Sequence, residues 1–508
     1  MELYYITNNT SEAVALDKIP EVAYADFYED VDKRLSDPNY HVAHYFALPT
    51  GNRMRFFMIL LNDATSEVLL TSHVMDYYDD VALPSLTARH PQVHPFERDM
   101  KERYGITFDQ MPWDKPLRFP FDKFNRESSM DNYPFYKMEG QNLHEVNVGP
   151  IHAGIIEPGA FRFICSGEEV LHLEIALGYQ HRGVEHQFSQ TDNRLRQMCL
   201  AETIAGDSSV THATAFTEAI EKLSGRPRHE GLDLERGIAL ELERMAMQIA
   251  DTGALSTDVG YQLGQVACEA LRTMTINTTQ AWCGNRFGKN LIRPFGTNHP
   301  MTLDKAQMIR KNVREIIRRY MEAAFDIKTS TTVLARLEQC GIVSKDQMAE
   351  IGGVGQAARA SGLKRDIRHS HPWGVFAKHF VHETQFKTQG DVMARLKVRC
   401  KEVEQSAHYI DQMLDIWIDK FREQSLPRPD YTAQLAPNSL SFGLVEGWRG
   451  ETCHVIITNE AGKIEAARIK DPSLHNWLGL ALAVRGEGIS DFPICNKSFN
   501  LSYCGHDL

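Results

Sequence analysis

The chain has 508 residues, enough for two or three domains with sizeable cores, and is 43% hydrophobic and 24% charged, as soluble globular proteins are. Its formal net charge of −12 comes from well-mixed acids and bases, which argues against a basic face for nucleic acid. The longest apolar stretches, FFMILL (56–61) and LGLALAV (478–484), fall far short of the ~20 residues a membrane helix needs, so any membrane association is expected to come from partners.

The amino terminus, MELYYITNNTSEAVALD, shows neither the basic nor the apolar region of a signal peptide. In chain order, HVAHYFALPTGNRMRFFMILLND (41–63) reads as two β-runs around a Pro-Thr-Gly-Asn turn, and EVLLTSHVM (67–75) as a further strand. HPFERDMKERYG (94–105) predicts an amphipathic helix closed by Gly105. From about 111 to 145 the chain is rich in Pro, Asp, Asn and Ser with recurring aromatics, the composition of an anchored linker. Strands broken by Gly and Pro follow over 149–179. Long helical patterns then take over, marked by Leu242, Met245 and Ile249, by Ile309, Val313, Ile316 and Tyr320, and by Ile410, Leu414, Trp417 and Phe421. Near the end, residues 450–470 predict a hairpin around Asn459–Gly462, then a helix with Asp471 as N-cap and Pro472 in its first turn. The fold expected is α+β: a small α/β sandwich-like domain (1–115), a linker (116–145) and a mainly helical domain with peripheral β-hairpins (146–508).

Local chemistry is sparse. The nine cysteines stand at least nine residues apart with no CxxC, the pattern of reduced, mostly buried thiols. GGVGQA (352–357) follows a polar, helix-like segment and not a strand, so a glycine-rich loop is expected there and not a nucleotide site. His369, His371, His379 and His382 crowd into fourteen residues, but Pro372 breaks any common helical face and no cysteine is near. In LGYQHRGVEHQF (177–188), Arg182 could share a helix face with Glu185 or His186.

Several collinear stretches resemble one family, the large subunits of nickel–iron hydrogenases and the related 49-kDa-type subunit of respiratory complex I. GPIHAGIIEPGAFRF (149–163) resembles the family's opening β-loop, LGYQHRGVEH its GYxHRGxE segment, and ELERMAMQIADTGAL (241–255) and RFGKNLIRPFGT (286–297) two further signatures. ARASGLKRDIRHSHPW (358–373) and VEGWRGETCHVIITNEAGKIEAARIKDPSLHNW (445–477) resemble the membrane-bound, formate-hydrogenlyase-like (hydrogenase-4-type) branch, which places the histidine cluster in a family loop. HPFERDMKERYGITF (94–108) is similar to the 30-kDa complex I subunit signature, so the chain resembles a fused 30-kDa-like and 49-kDa-like subunit.

In hydrogenases of this family four cysteine thiolates hold the metals, because soft ligands select them. The matching positions here are Ala205, Ser208, Ser502 and Gly505, with Cys504 off register. The resemblance therefore implies a chain without the metal centre, and no cofactor of its own. It also implies a polar pocket made of His152, Glu157, His181, Arg182, Asp207, Ser208, His212, Arg449, Tyr503 and His506. In the complex I relatives the vacated pocket takes a quinone through a loop histidine, matched by His152, and a tyrosine whose position is Gly206 here. The implied role is that of a peripheral large subunit on the cytoplasmic face of the cell membrane, beside an iron–sulfur small subunit and integral membrane subunits. Its pocket would serve quinone chemistry or proton coupling to ion translocation. A structural coupling subunit without redox turnover is the alternative, and an active hydrogenase a third reading that stoichiometric nickel would establish.

Overall fold

A computed structural model describes residues 3–76, 82–118, 132–152 and 157–508; much of the expected linker (119–131) and part of the opening loop (153–156) lie outside the described residues. The architecture is mixed α and β. An antiparallel sheet near the amino terminus has the order β1 (Tyr5–Thr7), β5 (Glu67–Asp76), β4 (Arg53–Asn62), β3 (Tyr40–Thr50). The FFMILL run lies in β4, and its continuity has a simple cause. Phe56, Met58 and Leu60 pack against Phe27 and Val31 of α1 (Tyr24–Leu35) and Phe96 and Met100 of α2 (His94–Tyr104). Phe57, Ile59 and Leu61, on the opposite face, join the main core of the molecule. A strand buried on both sides reads as apolar throughout. As the sequence predicts, α2 ends at Gly105, whose φ of 70° is the left-handed cap conformation.

A short strand, β2 (Val14–Ala15), leaves this region to become the edge of a second sheet, pairing with β11 (Ser439–Glu446); β12 (Glu451–Thr458) and β13 (Ile464–Lys470) complete it. The β12–β13 turn closes where expected, with the Gly462 amide donating to the Asn459 carbonyl at 2.9 Å. β6 (Leu83–Pro84) and β7 (Phe108–Asp109) form a small parallel pair. A third sheet orders β10 (Glu169–Ala176), β9 (Ala160–Ser166) and β8 (Leu143–Val148) as a meander.

The interior is helical. α3 (Val184–Ser189), α4 (Arg194–Glu202) and α5 (Ser209–Ser224) lead into α6 (Glu230–Asp258), which is buried on nearly every face and so sits at the centre. α7 (Gln262–Cys283) and α8 (Leu303–Thr329) pack around it, followed by the short α9 (Thr331–Leu337), α10 (Lys345–Glu350), α11 (Gly355–Ala360), α12 (Ile367–Ser370) and α13 (Gly374–Lys378), and by the long α14 (Val392–Lys420). The apolar stripes read from the sequence on α6, α8 and α14 are all buried. GGVGQA is a loop opening α11. There a Cβ on Gly355 would stand 1.8 Å from the Arg449 carbonyl, so the glycine permits two backbones to touch.

Two expectations shift. The carboxy-terminal helices are α15 (Ser473–Ala483), α16 (Phe492–Phe499) and α17 (Tyr503–His506), and α15 starts one residue later than expected, with Pro472 as its cap residue. The Asp471 carboxylate still accepts the Ser473 amide at 2.8 Å; the change is of one residue at a fraying boundary. Second, Arg182 precedes α3, so no helical pair with Glu185 or His186 forms; Glu185 binds Arg103 instead. The clustered histidines take largely separate partners: His371 contacts the Glu67 carbonyl, His379 pairs with Glu230, and His382 pairs with Asp366 while its carbonyl meets the His369 ring.

Where β3 meets β12 and β13 a charged seam is enclosed. His41 Nε2 lies 2.7 Å from Glu451, Lys470 donates to Glu451 at 2.5 Å and to the Val42 carbonyl at 2.9 Å, and His41 Nδ1 faces Asp63 at 3.3 Å. Burial disfavours the His41 cation, but Asp63 and Glu451 outweigh it and raise its pKa above the ordinary value.

Candidate functional site

Asp207 and Ser208 occupy the tight turn between α4 and α5, and Arg449 the turn between β11 and β12. The Arg449 fork meets the Asp207 carboxylate with both terminal nitrogens at 2.7 Å, while its Nε donates to the Asn500 carbonyl at 2.6 Å. Burial opposes the guanidinium charge, and Asp207 more than restores it, so Arg449 is held firmly as a cation. The Trp448 ring lies 4.0 Å from the guanidinium carbon, and its Nε1 donates to the Asp207 carbonyl at 2.9 Å and to Ser208 Oγ at 3.0 Å. One side of the pair is open: the Asp207 side chain is 37% exposed and that of Arg449 6%.

Beneath this pair lies a second tier, of which sequence reasoning assigned only His212. Asn500 donates to Asp251 at 2.5 Å, and Arg399 donates to the other oxygen at 2.8 Å. Glu243 accepts the Val210 amide at 2.7 Å and Thr211 Oγ1 at 2.5 Å, capping the start of α5 with a carboxylate that burial pushes up to about 7. A signal existed. Glu243 and Asp251 both stand in ELERMAMQIADTGAL at positions i and i+8, which share one face of a helix. His212 bridges Asp471, at 3.1 Å, and His454, at 3.0 Å. Burial raises the Asp471 pKa, but the His212 hydrogen bond and Arg449 prevail and hold it low, whereas burial and the neighbouring His212 keep His454 neutral.

The four positions matched to metal-binding cysteines have other engagements. Ala205 is buried and offers no donor atom. Ser208 Oγ accepts from Trp448 and lies 3.3 Å from Arg449. Ser502 Oγ accepts the Gly505 amide at 2.9 Å as the N-cap of α17. At Gly505 a Cβ would stand 2.6 Å from the Asp471 carboxyl carbon, so Asp471 occupies the space a side chain would need. The off-register Cys504 is half-buried, 3.5 Å from Ser502 Oγ. Burial and then the Glu157 carboxylate push its thiol up to about 12.

The remaining members of the set fall into two groups. His152, 3.0 Å from the Gly159 carbonyl, and Glu157 belong to the opening loop that touches the tail. Gly159 lies against the Tyr503 ring so closely that a Cβ would be 2.5 Å from it. Arg182 donates to the Thr203 and Ile204 carbonyls at 2.9 and 3.0 Å, fastening the turn just before Ala205. His181 and His506 instead face the amino-terminal region. His181 lines a cavity of about 460 Å³ with Asp99, Arg103 and Arg118, and Arg182 borders the same cavity, so that it stands between the two groups. His506 pairs with Asp507 at 2.7 Å and borders a separate small cavity with His94, Arg98 and Trp113, turned away from the pocket expected for it. Among the described residues, no cluster of three or more His, Cys, Asp or Glu is arranged to hold a metal ion, and no helix is long and apolar enough to cross a membrane.

Residues 258–428 match the family model described as the respiratory-chain NADH dehydrogenase 49 Kd subunit. The chain is 27% identical over 444 residues to formate hydrogenlyase subunit 5 of Escherichia coli (strain K12), covering 83% of this chain and 76% of the relative. It is 25% identical over 488 residues to hydrogenase-4 component G of the same strain, covering 92% and 80%. It is also 23% identical over 507 residues to the C/D subunit of NADH-quinone oxidoreductase from Aeromonas salmonicida (strain A449), covering 89% and 83%.

Proposed function

We propose that this chain, which matches the 49-kDa-type family model over residues 258–428 and is similar along most of its length to hydrogenase-type and fused complex I-type subunits, is the peripheral large subunit of a membrane-bound oxidoreductase complex. In this reading residues 1–115 are the 30-kDa-like module and 146–508 the 49-kDa-like one. An iron–sulfur small subunit docks beside it, membrane subunits lie beneath it on the cytoplasmic face of the cell membrane, and the chain binds no cofactor of its own.

We further propose that it is not a nickel–iron hydrogenase. Alanine and glycine cannot ligate, the two serines are committed to Trp448, Arg449 and the α17 cap, and soft thiolates are absent from all four positions. Instead the pocket handles a small oxidised acceptor of the quinone class or couples protonation to ion movement. The observation that carries this is the Asp207–Arg449 pair, charged, open on one side and backed by buried carboxylates at Glu243 and Asp251. Arg449 would orient an acceptor's oxygen, and Asp207 would exchange protons with the open side.

The test is purification of the whole complex with metal analysis, cofactor spectra and quinone reduction. Asp207→Asn and His152→Ala are expected to impair turnover, while unchanged rates in both would remove the pocket from the reaction. Stoichiometric nickel would overturn the metal-free reading. A coupling subunit without redox turnover is favoured by one feature: Gly206 stands where the quinone-binding relatives carry a tyrosine. A companion small subunit lacking its cluster cysteines would decide for that second reading.

A further inference from the structure

Away from the pocket, two cysteines distant in sequence meet in the interior. Cys340, in the turn after α9, and Cys495, on α16, place their sulfurs 3.8 Å apart as free thiols. Cys340 is 7% exposed and Cys495 fully enclosed. Beside them stands Arg395 of α14, which donates to Ser498 Oγ at 2.8 Å and to the Gly390 and Gly341 carbonyls at 2.8 and 2.9 Å, all neutral acceptors. Gly341 keeps the sulfur and the guanidinium together: a Cβ there would lie 2.7 Å from Cys495 Sγ and 3.1 Å from an Arg395 nitrogen. At rest the hydrogen bond with Cys340 and burial hold the Cys495 thiol protonated, well above the ordinary thiol range, so what Arg395 supplies is a fixed positive charge beside the two sulfurs, placed where negative charge develops only as they react.

We propose that Cys340 and Cys495 form a dithiol site that takes a peroxide-class two-electron oxidant and closes to a disulfide, tethering the 338–341 turn to α16. Cys340, the more accessible sulfur, attacks one peroxide oxygen; the O–O bond breaks, and the departing hydroxide takes the thiol proton as water, leaving a sulfenic acid. Cys495 then attacks that sulfur, the S–O bond breaks, and hydroxide leaves with the second thiol proton as a second water. Two thiols are oxidised, one peroxide is reduced to two waters, and the balance closes. The sulfurs must approach from 3.8 Å to about 2.0 Å. Cys340 is held by the Val392 amide on its carbonyl at 2.9 Å, so α16 takes up part of the movement. α16 ends at Asn500, whose carbonyl and amide reach Arg449 and Asp251, and closure therefore pulls on the pocket.

The experiment uses the purified full-length chain, reduced and then exposed to hydrogen peroxide, with remaining thiols alkylated and the protein digested without reductant. A cross-linked peptide pair carrying Cys340 and Cys495, two hydrogens lighter than its reduced parts, is expected as the main oxidised form of Cys340 and is reversed by dithiothreitol. Cys340→Ser and Cys495→Ser should each abolish it. Recovery of both cysteines unlinked, while the exposed Cys199 is oxidised, would overturn the proposal from the unmutated protein alone, whatever the folding of the variants. The alkylation rate of the half-buried Cys504 should change on oxidation in the unmutated chain and not in Cys340→Ser; equal rates would refute the link to the tail.

Discussion

The seam between β3 and the carboxy-terminal sheet and the pocket around Arg449 are both polar and both interior, yet they are built in opposite ways. At the centre of the seam the charges are enclosed: Lys470 is fully buried and Glu451 3% exposed, with Glu451 held between Lys470 and the buried His41. In the pocket an enclosed Arg449 meets a carboxylate that is 37% open to solvent. A fully enclosed pair can only hold parts together, because nothing from outside reaches it. A half-open pair retains a face for a ligand or a proton. The contrast separates a fastening from a site without appeal to residue type, since both use the same kinds of side chain.

The comparison breaks most sharply at the seam. Lys470→Met leaves Glu451 buried without its ammonium, and chemical denaturation should show a loss of about 3–5 kcal/mol; an unchanged midpoint would mean the seam fastens nothing. In the pocket Arg449→Lys keeps the charge but loses the fork. Because Asp207 can still be hydrated, the cost is expected to be smaller, roughly 1.5–3 kcal/mol, with faster hydrogen exchange over residues 500–506. Gly505→Ala forces a methyl against Asp471 and should cost about 1–3 kcal/mol while loosening the His212 contact; wild-type stability would show that Asp471 yields readily.

The smallest effect is a slope. The Glu243 carboxyl, raised from 4.5 to about 7 by burial, binds its proton more tightly in the folded chain. Its contribution is therefore fully present below pH 4.5 and lost as pH rises through about 7. Glu243→Gln should flatten the stability–pH curve across that window, and an unaltered curve would place the titration elsewhere.

Much of this was legible in the residues. The 3.6-residue stripes on α6, α8 and α14 marked buried faces because apolar burial has to follow helical period. Gly105 and the Asn459–Gly462 turn were legible because left-handed backbone restricts residue choice. The partners of Asp207 were not. Asp207, Arg449 and Asn500 are widely separated along the chain, and no local spacing says that one guanidinium will reach a turn, a strand end and a tail together. His506 shows the converse. Its place beside Cys504 suggested the pocket, but the one-turn helix α17 carries it to the opposite side, toward His94 and Arg98.

The sequence by itself determined the mixed α and β class, the long central helices, the likeness to the 49-kDa-type subunits and the absence of cysteine at four matched positions, because periodicity, turn chemistry and ligand identity are local properties. Only the tertiary structure decided what those positions do now. Asp471 fills the space beside Gly505, Ser502 caps a helix, and Ser208 serves Trp448 and Arg449; the structure likewise decided that Cys340 meets Cys495. These are long-range contacts, fixed by how the helices and sheets pack around α6, and packing is a property of the whole chain.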